Sequence, residues 1–307
     1  MKRIISNIKE LIDNFNPSNE KLIFLSTYFT SKQDPLRSIK QADDNFEYFR
    51  NWYESIDELG IRAIIFCDTI SEEFEKKYET DKISFVRCQL GPYSLNDERF
   101  FIFHEFVQEL KTDAFVVSTD INDVIVNKNP LELFEANPHK LFVGRGVRKS
   151  WKDGIWALKA LRQFDKKISD GLDLSFLTYP MLTPGTIGGR KGEILKVYKE
   201  MIDVFTKCGD DGNYDMQVFN HIMKNHYFPK ISIWDGMIPF GLGYWYYYLL
   251  YRVSRKFDKG YKRYKYDVVS YEESICENER IYAGFPFVSI VGNYEKKGET
   301  EAYLIHK

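Results

Sequence analysis

The feature that most constrains the fold is the stretch FVVSTDINDVIV at residues 115–126. Its continuous aromatic and β-branched residues at 115–118 predict a strand covered on both faces, as in the sheet of an α/β protein. Asp120, Asn122 and Asp123 follow this strand and precede a second apolar run at 124–126. Because α/β sheets bind ligands at the carboxyl ends of their strands, these polar side chains mark a candidate site.

The three polar side chains are hard oxygen ligands. Two carboxylates and an amide within four residues suit Mg²⁺ or Mn²⁺ carrying a phosphorylated substrate better than they suit zinc. Asp and Asn are also ordinary turn residues, so an Asx-rich turn that caps the next element explains the same pattern. The stretch by itself leaves both interpretations open.

Strands alternate with helices before this stretch. The sequence predicts strands at 21–28, 61–67 and 83–88, and helices at 45–59 and up to Tyr78. This alternation indicates an α/β fold with a parallel, doubly wound sheet. The polar loop at 30–44, which carries Arg37, either contacts the phosphates of a nucleotide or is a solvated loop.

A long helix is predicted at 94–111, with Ser94 and Asp97 at capping-box spacing. Its first turn contains Arg99, where a cation is unfavourable with respect to the helix dipole. We therefore expect an acidic partner for Arg99, and residues 120–123 are the nearest candidates in the predicted fold. A plain surface ion pair is the alternative.

Two later segments are candidates to face a ligand. Residues 182–190, LTPGTIGGR, place three glycines just before a predicted helix, so the backbone there can approach a ligand closely. Their spacing differs from that of the dinucleotide fingerprint. Asp215 and Gln217 stand at the start of another predicted helix, either as capping residues or as one side of a cleft.

Composition argues against several functions. The 43 Lys and Arg residues against 45 Asp and Glu give a formal net charge of −2, so the overall charge gives no case for binding to nucleic acid. No apolar run approaches the ~20 residues of a membrane span.

The four cysteines form no C-x-x-C pair, and without a signal peptide they predict buried free thiols in a cytoplasmic protein. No repeat or linker divides the chain, which predicts a single domain over residues 1–307.

Residues 241–266 interleave aromatic side chains with lysines and arginines. The favoured interpretation is an aromatic helix that packs on the domain and leaves a solvated basic face. The same composition suits peripheral contact with an anionic membrane surface near a lipid-linked substrate, or stacking on an acceptor sugar.

Taken in order, these landmarks resemble the nucleotide-sugar glycosyltransferases of the GT-A type. Those enzymes begin with a nucleotide-binding sheet, followed by a helix with an Arg, here Arg99, and an apolar strand that ends in a D-x-D metal motif. This chain departs from that motif, since it has D-x-x-D, or D-x-N if Asp120 and Asn122 are counted. A glycine segment, a later D-x-Q at Asp215 and a C-terminal His at His306 complete the likeness.

The resemblance implies a Rossmann-like, mostly parallel sheet flanked by helices, with a nucleotide-binding half at 21–125 and an acceptor-binding half and tail at 126–307. It implies Mn²⁺ or Mg²⁺ on Asp120, Asn122, Asp123 and His306, and Asp215 as the catalytic carboxylate. Residues expected to contact the donor, with a UDP-sugar favoured, are Thr27, Tyr28, Arg37, Asp68, Arg99, Gly188, Gly189 and Lys307.

The implied activity is transfer of a sugar to a glycan or lipid-linked glycan in surface polysaccharide synthesis, in the cytoplasm or at the inner face of the cell membrane. A sugar nucleotidyltransferase should carry a glycine-rich loop after its first strand, and residues 27–32 contain no glycine. A phosphatase of the haloacid dehalogenase type should carry its acidic motif after the first strand. The departure at the D-x-D motif keeps open a non-catalytic carbohydrate-binding protein on a degenerate transferase fold.

Overall fold

The computed structural model describes residues 2–6, 8, 12, 21–35, 38–145, 163–164, 166–168, 182–227, 276–277, 280–289 and 301–306. The strands are β1 Leu22–Tyr28, β2 Arg62–Cys67, β3 Ile83–Arg87, β4 Phe115–Thr119, β5 Val124–Val126, β6 Leu141–Arg145, β7 Leu182–Arg190, β8 Cys276–Glu277, β9 Ile281–Ser289 and β10 Leu304–His306. The helices are α1 Arg50–Glu58, α2 Glu72–Tyr78, α3 Leu95–Glu109, α4 Leu131–Ala136, α5 Lys191–Cys208 and α6 Asp215–Ile222. A 3₁₀ turn at Phe46–Tyr48 precedes α1, and a π-helical segment at Met223–Tyr227 follows α6.

One mixed sheet contains all of these strands, in the order β3-β2-β1-β4-β7-β6-β9-β10-β5, with β8 paired to β9. Five of the nine pairings between described strands are parallel, including those that join β1, β2, β3 and β4. β7 runs antiparallel to β4, with Gly188 opposite Val117. The predicted α/β class and mostly parallel sheet are therefore confirmed, although the half beyond β4 mixes both directions.

Both faces of the sheet are covered, as the apolar strands require. Alternate residues of each strand point to opposite faces, so Ile23 and Leu25 of β1 join one buried cluster with α3, α5 and α6. Leu22 and Phe24 join the other cluster, which contains side chains of α1, α2 and α4. The indole Nε1 of the fully buried Trp52 in α1 donates to Thr119 Oγ1 at 2.7 Å, which fixes the end of β4.

The structure differs from the predicted elements at two places. The predicted helix at 45–59 is interrupted at Phe49, whose φ and ψ of −125° and 10° separate the 3₁₀ turn from α1. The glycine segment at 182–190, for which no strand was predicted, forms the strand β7, since its backbone pairs with β4 on one side and β6 on the other. Pairing on both sides overrides the low strand propensity of Gly and Pro.

Several predictions concern residues outside the described part of the chain, including the whole aromatic and basic segment at 241–266.

Cys67, Cys88 and Cys208 are buried and free, as the sequence predicts, and burial raises the pKa of the Cys67 and Cys208 thiols to about 12. None of the helices that the structure describes has the length and apolar character to span a bilayer.

Candidate active site

Three elements bring two carboxylates and an imidazole together at the carboxyl end of β4. Asp120 follows the last residue of β4, Asp123 precedes the first residue of β5, and His306 is the last residue of β10. The antiparallel register of β10 and β5 places His306 opposite Val124, next to Asp123. The backbone N–H of Asp120 donates to the carbonyl oxygen of Gly185 at 2.9 Å, which ties the cluster to β7.

The spacing of the three side chains suits a shared cation. His306 Nε2 lies 3.4 Å from Asp120 Oδ2 and 3.6 Å from Asp123 Oδ1, and one ligand atom from each residue lies within 4.8 Å of the others. Both nitrogen–oxygen distances exceed the ~2.9 Å of a well-formed hydrogen bond. Separations of this size leave room for one ion that all three side chains contact. Two carboxylates and one imidazole are a donor set that fits a divalent cation, Mn²⁺ among them.

The electrostatics of the cluster also favour a cation. Burial alone would raise the pKa of Asp120, but the Arg99 guanidinium and the His306 imidazole hold it well below its usual range. Burial alone would lower the pKa of His306, but Asp120 and Asp123 raise it overall. Without a metal, a proton on His306 therefore supplies part of the positive charge that these carboxylates require.

Arg99 joins this cluster to a second one. Its guanidinium pairs with Asp120 through Nη1 and with Asp215 Oδ2 through Nη2, the latter at 3.0 Å, while the residue is 6 % exposed. The expected acidic partner of Arg99 is thus confirmed, and Asp215 is a further partner. A guanidinium suits this position because its planar fork can serve two carboxylates at once.

Asp215 begins α6 and is also buried. Its Oδ1 accepts a hydrogen bond from Asn213 Nδ2 at 3.3 Å, so both carboxylate oxygens are engaged. Burial raises the pKa of Asp215, while Arg99 opposes the rise and Asp120 adds to it. Asp215 therefore lies at the site in a fixed orientation, with its charge paired to Arg99.

These side chains surround a cavity of about 270 Å³. Seven of the predicted site residues line it, namely Thr27, Arg99, Asp120, Asn122, Asp123, Asp215 and His306. The cavity lies between the loop that follows β1 and the start of α6. The structure thus brings together residues that lie far apart along the chain.

Other predicted donor contacts lie elsewhere. Tyr28 is completely buried, and its hydroxyl donates to the Ala42 carbonyl and accepts from the Asn45 N–H. Asp68 accepts from the backbone N–H groups of Thr30 and Ser31, so it holds the loop after β1. Neither residue lines the cavity, so their contact with a nucleotide sugar stays a prediction.

The two predicted glycines of β7 also face protein atoms. A Cβ at Gly188 would stand 2.8 Å from Phe134 Cζ, and one at Gly189 would stand 3.3 Å from the Lys140 carbonyl oxygen. Neither residue lines the cavity that the other site residues share. Arg37 and Lys307, the remaining predicted contacts, lie outside the described residues.

Several further residues line the cavity that the sequence analysis did not name individually as site residues: Phe29, Asp34, Gln41, Tyr48, Leu95, Asn96, Ile121, Thr183, Pro184, Gly185, Asn213 and Met216. Asp34 and Gln41 belong to the polar loop at 30–44, in which only Arg37 was named as a contact. Gly185 is the glycine of β7 that approaches the site, since a Cβ there would stand 2.6 Å from Asp120 Oδ2. The glycine segment was the sequence signal for this close approach, although the residues named for it were Gly188 and Gly189.

Comparisons with known proteins are distant. No protein-family model matches the chain, and no curated protein matches it. Among solved structures, the galactosyltransferase LgtC in complex with donor and acceptor sugar analogs is similar at 15 % identity, with a TM-score of 0.41 over 66 % of this chain and 70 % of that one. The apo-form glycosyltransferase GlyE of Streptococcus pneumoniae TIGR4 is similar at 13 % identity, with a TM-score of 0.41 over 78 % of this chain and 52 % of that one. Likeness at this distance does not determine an activity.

Proposed function

We propose that the chain is a metal-dependent glycosyltransferase of the GT-A type. It would move a sugar from a nucleoside-diphosphate sugar, with a UDP-sugar as the favoured donor, to a glycan or glycolipid. The observation that carries this proposal is the convergence of Asp120, Asp123 and His306 beside a cavity at the carboxyl end of β4. The whole described chain would act as one domain, with the donor bound by the half that contains β1 to β4.

The cation site supports a diphosphate as the bound group. Asp120, Asp123 and His306 would hold Mn²⁺ or Mg²⁺, and Asn122 faces the same cavity. A divalent cation supplies charge neutralisation for a departing nucleoside diphosphate. Arg99 keeps Asp120 ionised, because the guanidinium contributes to holding the pKa of that carboxyl low.

The loop after β1 supports a nucleoside on one side of the cavity. Asp34 and Gln41 offer hydrogen-bonding groups, and Tyr48 offers a ring for stacking. Thr27, at the end of β1, lies between this loop and the cation site. A base and ribose placed there would direct the diphosphate toward Asp120 and Asp123.

Asp215 is the carboxylate proposed to act on the acceptor side. In an inverting transfer it would take the proton of the acceptor hydroxyl, and its raised pKa favours that role. In a retaining transfer it would face the reacting carbon. Arg99 and Asn213 fix its orientation in both cases. The acceptor class, the contact of residues 241–266 with a membrane and a role in surface polysaccharide synthesis are proposals from the sequence.

A thermal-shift panel tests the proposed function. UDP, GDP, CDP and CMP would each be added with Mn²⁺ and with EDTA to the wild type, Asp123→Asn and Asp81→Asn. Asp81 is an exposed carboxylate that does not line the cavity, so its variant is the matched control. We expect one nucleoside diphosphate to raise the Tm by several degrees with Mn²⁺ only, in the wild type and the control. No shift with any nucleotide would overturn the proposal, and a shift from sugars without metal would favour the carbohydrate-binding alternative.

A further inference from the structure

A buried carboxyl that the proposed function does not use lies behind the site. Asp97, in the first turn of α3, is 0 % exposed, and both of its oxygens accept from the backbone N–H of Tyr214, at 3.2 and 3.3 Å. Tyr214 is the residue before α6 and therefore stands next to Asp215. The Asp97 side chain thus bonds the backbone that presents Asp215 to the cavity.

Two neighbours of Asp97 bond the residues on either side of Tyr214. The Ser94 hydroxyl donates to Asn213 Oδ1 at 2.8 Å, and Arg99 pairs with Asp215. Three consecutive residues before and at the start of α6 are therefore each held by one side chain from the beginning of α3. Of the three bonds, only that of Asp97 reaches the backbone, so it fixes the path of the chain itself.

We propose that Asp97 is a positioning residue, which holds the start of α6 against α3 so that Asp215 meets Arg99 at the cavity. This role rests on the proposed function only where it concerns catalysis by Asp215. Its structural part, the anchoring of Tyr214, stands independently of the substrate.

The charge state of Asp97 agrees with this role. The groups that face it are Ser94 and Arg99 of α3, Asp215 and Tyr214 at the start of α6, and Cys208 at the end of α5. Burial and then the charge of Asp215 raise the pKa of Asp97 to about 8, although Ser94, Tyr214 and Arg99 oppose the rise. A neutral Asp97 still accepts the Tyr214 N–H, and it leaves the positive charge of Arg99 to Asp215 and Asp120.

Amide hydrogen exchange, read by mass spectrometry on peptides spanning 209–222, tests the anchoring. We would compare the wild type, Asp97→Ala, Asp97→Asn and Glu98→Ala. Glu98 is the matched control, because it is equally buried on the same turn but pairs with Arg3 and the Tyr93 N–H. We expect Asp97→Ala to speed exchange at 214–216 at least tenfold, Asp97→Asn to keep wild-type protection, and Glu98→Ala to leave 214–216 unchanged.

Unchanged exchange in Asp97→Ala, or equal loss in Asp97→Asn, would overturn the anchoring role. If Asp97→Ala does not fold, Asp97→Leu replaces it, since it keeps the volume without an acceptor. If neither variant folds, Asp97→Asn alone decides. Protection at 214–216 equal to that of the wild type would support the anchoring role, and its loss would overturn the role.

Release of nucleoside diphosphate from a nucleotide sugar tests the catalytic part. We expect Asp97→Ala to lower kcat at least tenfold with KM nearly unchanged, and Asp97→Asn to restore kcat. A rise in KM alone, or no rescue by Asp97→Asn, would overturn it. If the wild type releases no diphosphate from any nucleotide sugar, the proposed function fails, while the exchange data still decide whether Asp97 anchors α6.

Discussion

Gly185 lies so close to His306 that a Cβ atom at position 185 would stand 2.6 Å from the imidazole Cε1. The same Cβ would stand 2.6 Å from Asp120 Oδ2. Real Cβ atoms do not approach other atoms this closely, so Gly185→Ala must displace both side chains or move the backbone of β7. Because both are proposed metal ligands, we expect the variant to weaken Mn²⁺ binding by about 10–100-fold, the range found when ligand-orienting residues are changed.

Isothermal titration with Mn²⁺ measures this effect. Gly192→Ala is the control, since a Cβ at Gly192 in the first turn of α5 would meet nothing within 4 Å. Equal Mn²⁺ affinity in the wild type and Gly185→Ala would show that the cation binds elsewhere.

Substitution of a second glycine of β7, Gly188, should affect stability rather than metal binding. A Cβ at Gly188 would stand 2.8 Å from Phe134 Cζ and 3.1 Å from Phe287 Cε2, both in the buried core. We expect Gly188→Ala to lower the free energy of unfolding by roughly 1–3 kcal/mol, as overpacking does. Urea denaturation measures the loss. A Gly188→Ala protein as stable as Gly192→Ala would contradict the packing described here.

These glycines show where the sequence was sufficient and where it was not. Three glycines before a helix indicated close approach, and the structure has close approach at Gly185 and Gly188. The sequence of this segment did not predict that β7 is a strand, because Pro and Gly have low strand propensity. The strand is stabilised by its backbone pairing with β4 and β6, which the sequence does not show. Glycines that face phenylalanine rings and a glycine that faces a ligand site look identical in a sequence.

The acidic side chains were easier to locate than their partners. Asp120 and Asp123 follow from an apolar run that ends in carboxylates, which is a local pattern. His306 was expected at the site only because of the family resemblance, since its approach depends on β10 entering the sheet beside β5. Tyr28 was expected at the site because it ends a strand, whereas its ring packs with Tyr48 and Phe49 and does not line the cavity.

Replacing Arg99 should lower the stability of the protein strongly. It is the shared partner of Asp120 and Asp215, and Arg99→Met leaves both carboxylates without their guanidinium. Breaking a buried ion pair in this way costs about 3–5 kcal/mol of unfolding free energy. Arg190→Met is the control, because Arg190 pairs with Asp113 on the surface and should contribute no more than ~1 kcal/mol. Urea denaturation of both variants in EDTA gives the comparison, and equal losses would contradict a special role for Arg99.

Metal binding should strengthen as the pH rises. In the metal-free protein the pKa of His306 is raised above its ordinary value of 6.5 by Asp120 and Asp123, which together outweigh burial. Below that raised pKa a proton occupies the imidazole and competes with Mn²⁺, so binding must release it. We expect the Mn²⁺ dissociation constant to fall from pH 6 upward and then level off. Titration calorimetry in buffers of different ionisation enthalpy counts the released proton, and no release at pH 6 would exclude His306 as a ligand.

The last prediction concerns the pH dependence of stability and separates the charge of Asp97 from its hydrogen bond. The pKa of Asp97 is raised from 3.8 to about 8, first by burial and then by Asp215. Between these two values the folded protein holds a proton that the unfolded chain has released. The unfolding free energy therefore falls as the pH rises through this window, by at most ~1.4 kcal/mol per pH unit, and is constant above it.

Asp97→Asn has no such proton, so its stability relative to the wild type should rise steadily from pH 5 to pH 8. Asp97→Ala should show the same trend, but it should be less stable than Asp97→Asn at every pH, because the Tyr214 N–H loses its acceptor. Urea denaturation in EDTA at pH 5, 6, 7 and 8 measures all three proteins. Parallel pH profiles for the wild type and Asp97→Asn would mean that Asp97 is ionised in the folded protein. In that case Arg99 would have to balance three carboxylates, rather than the two with which it pairs.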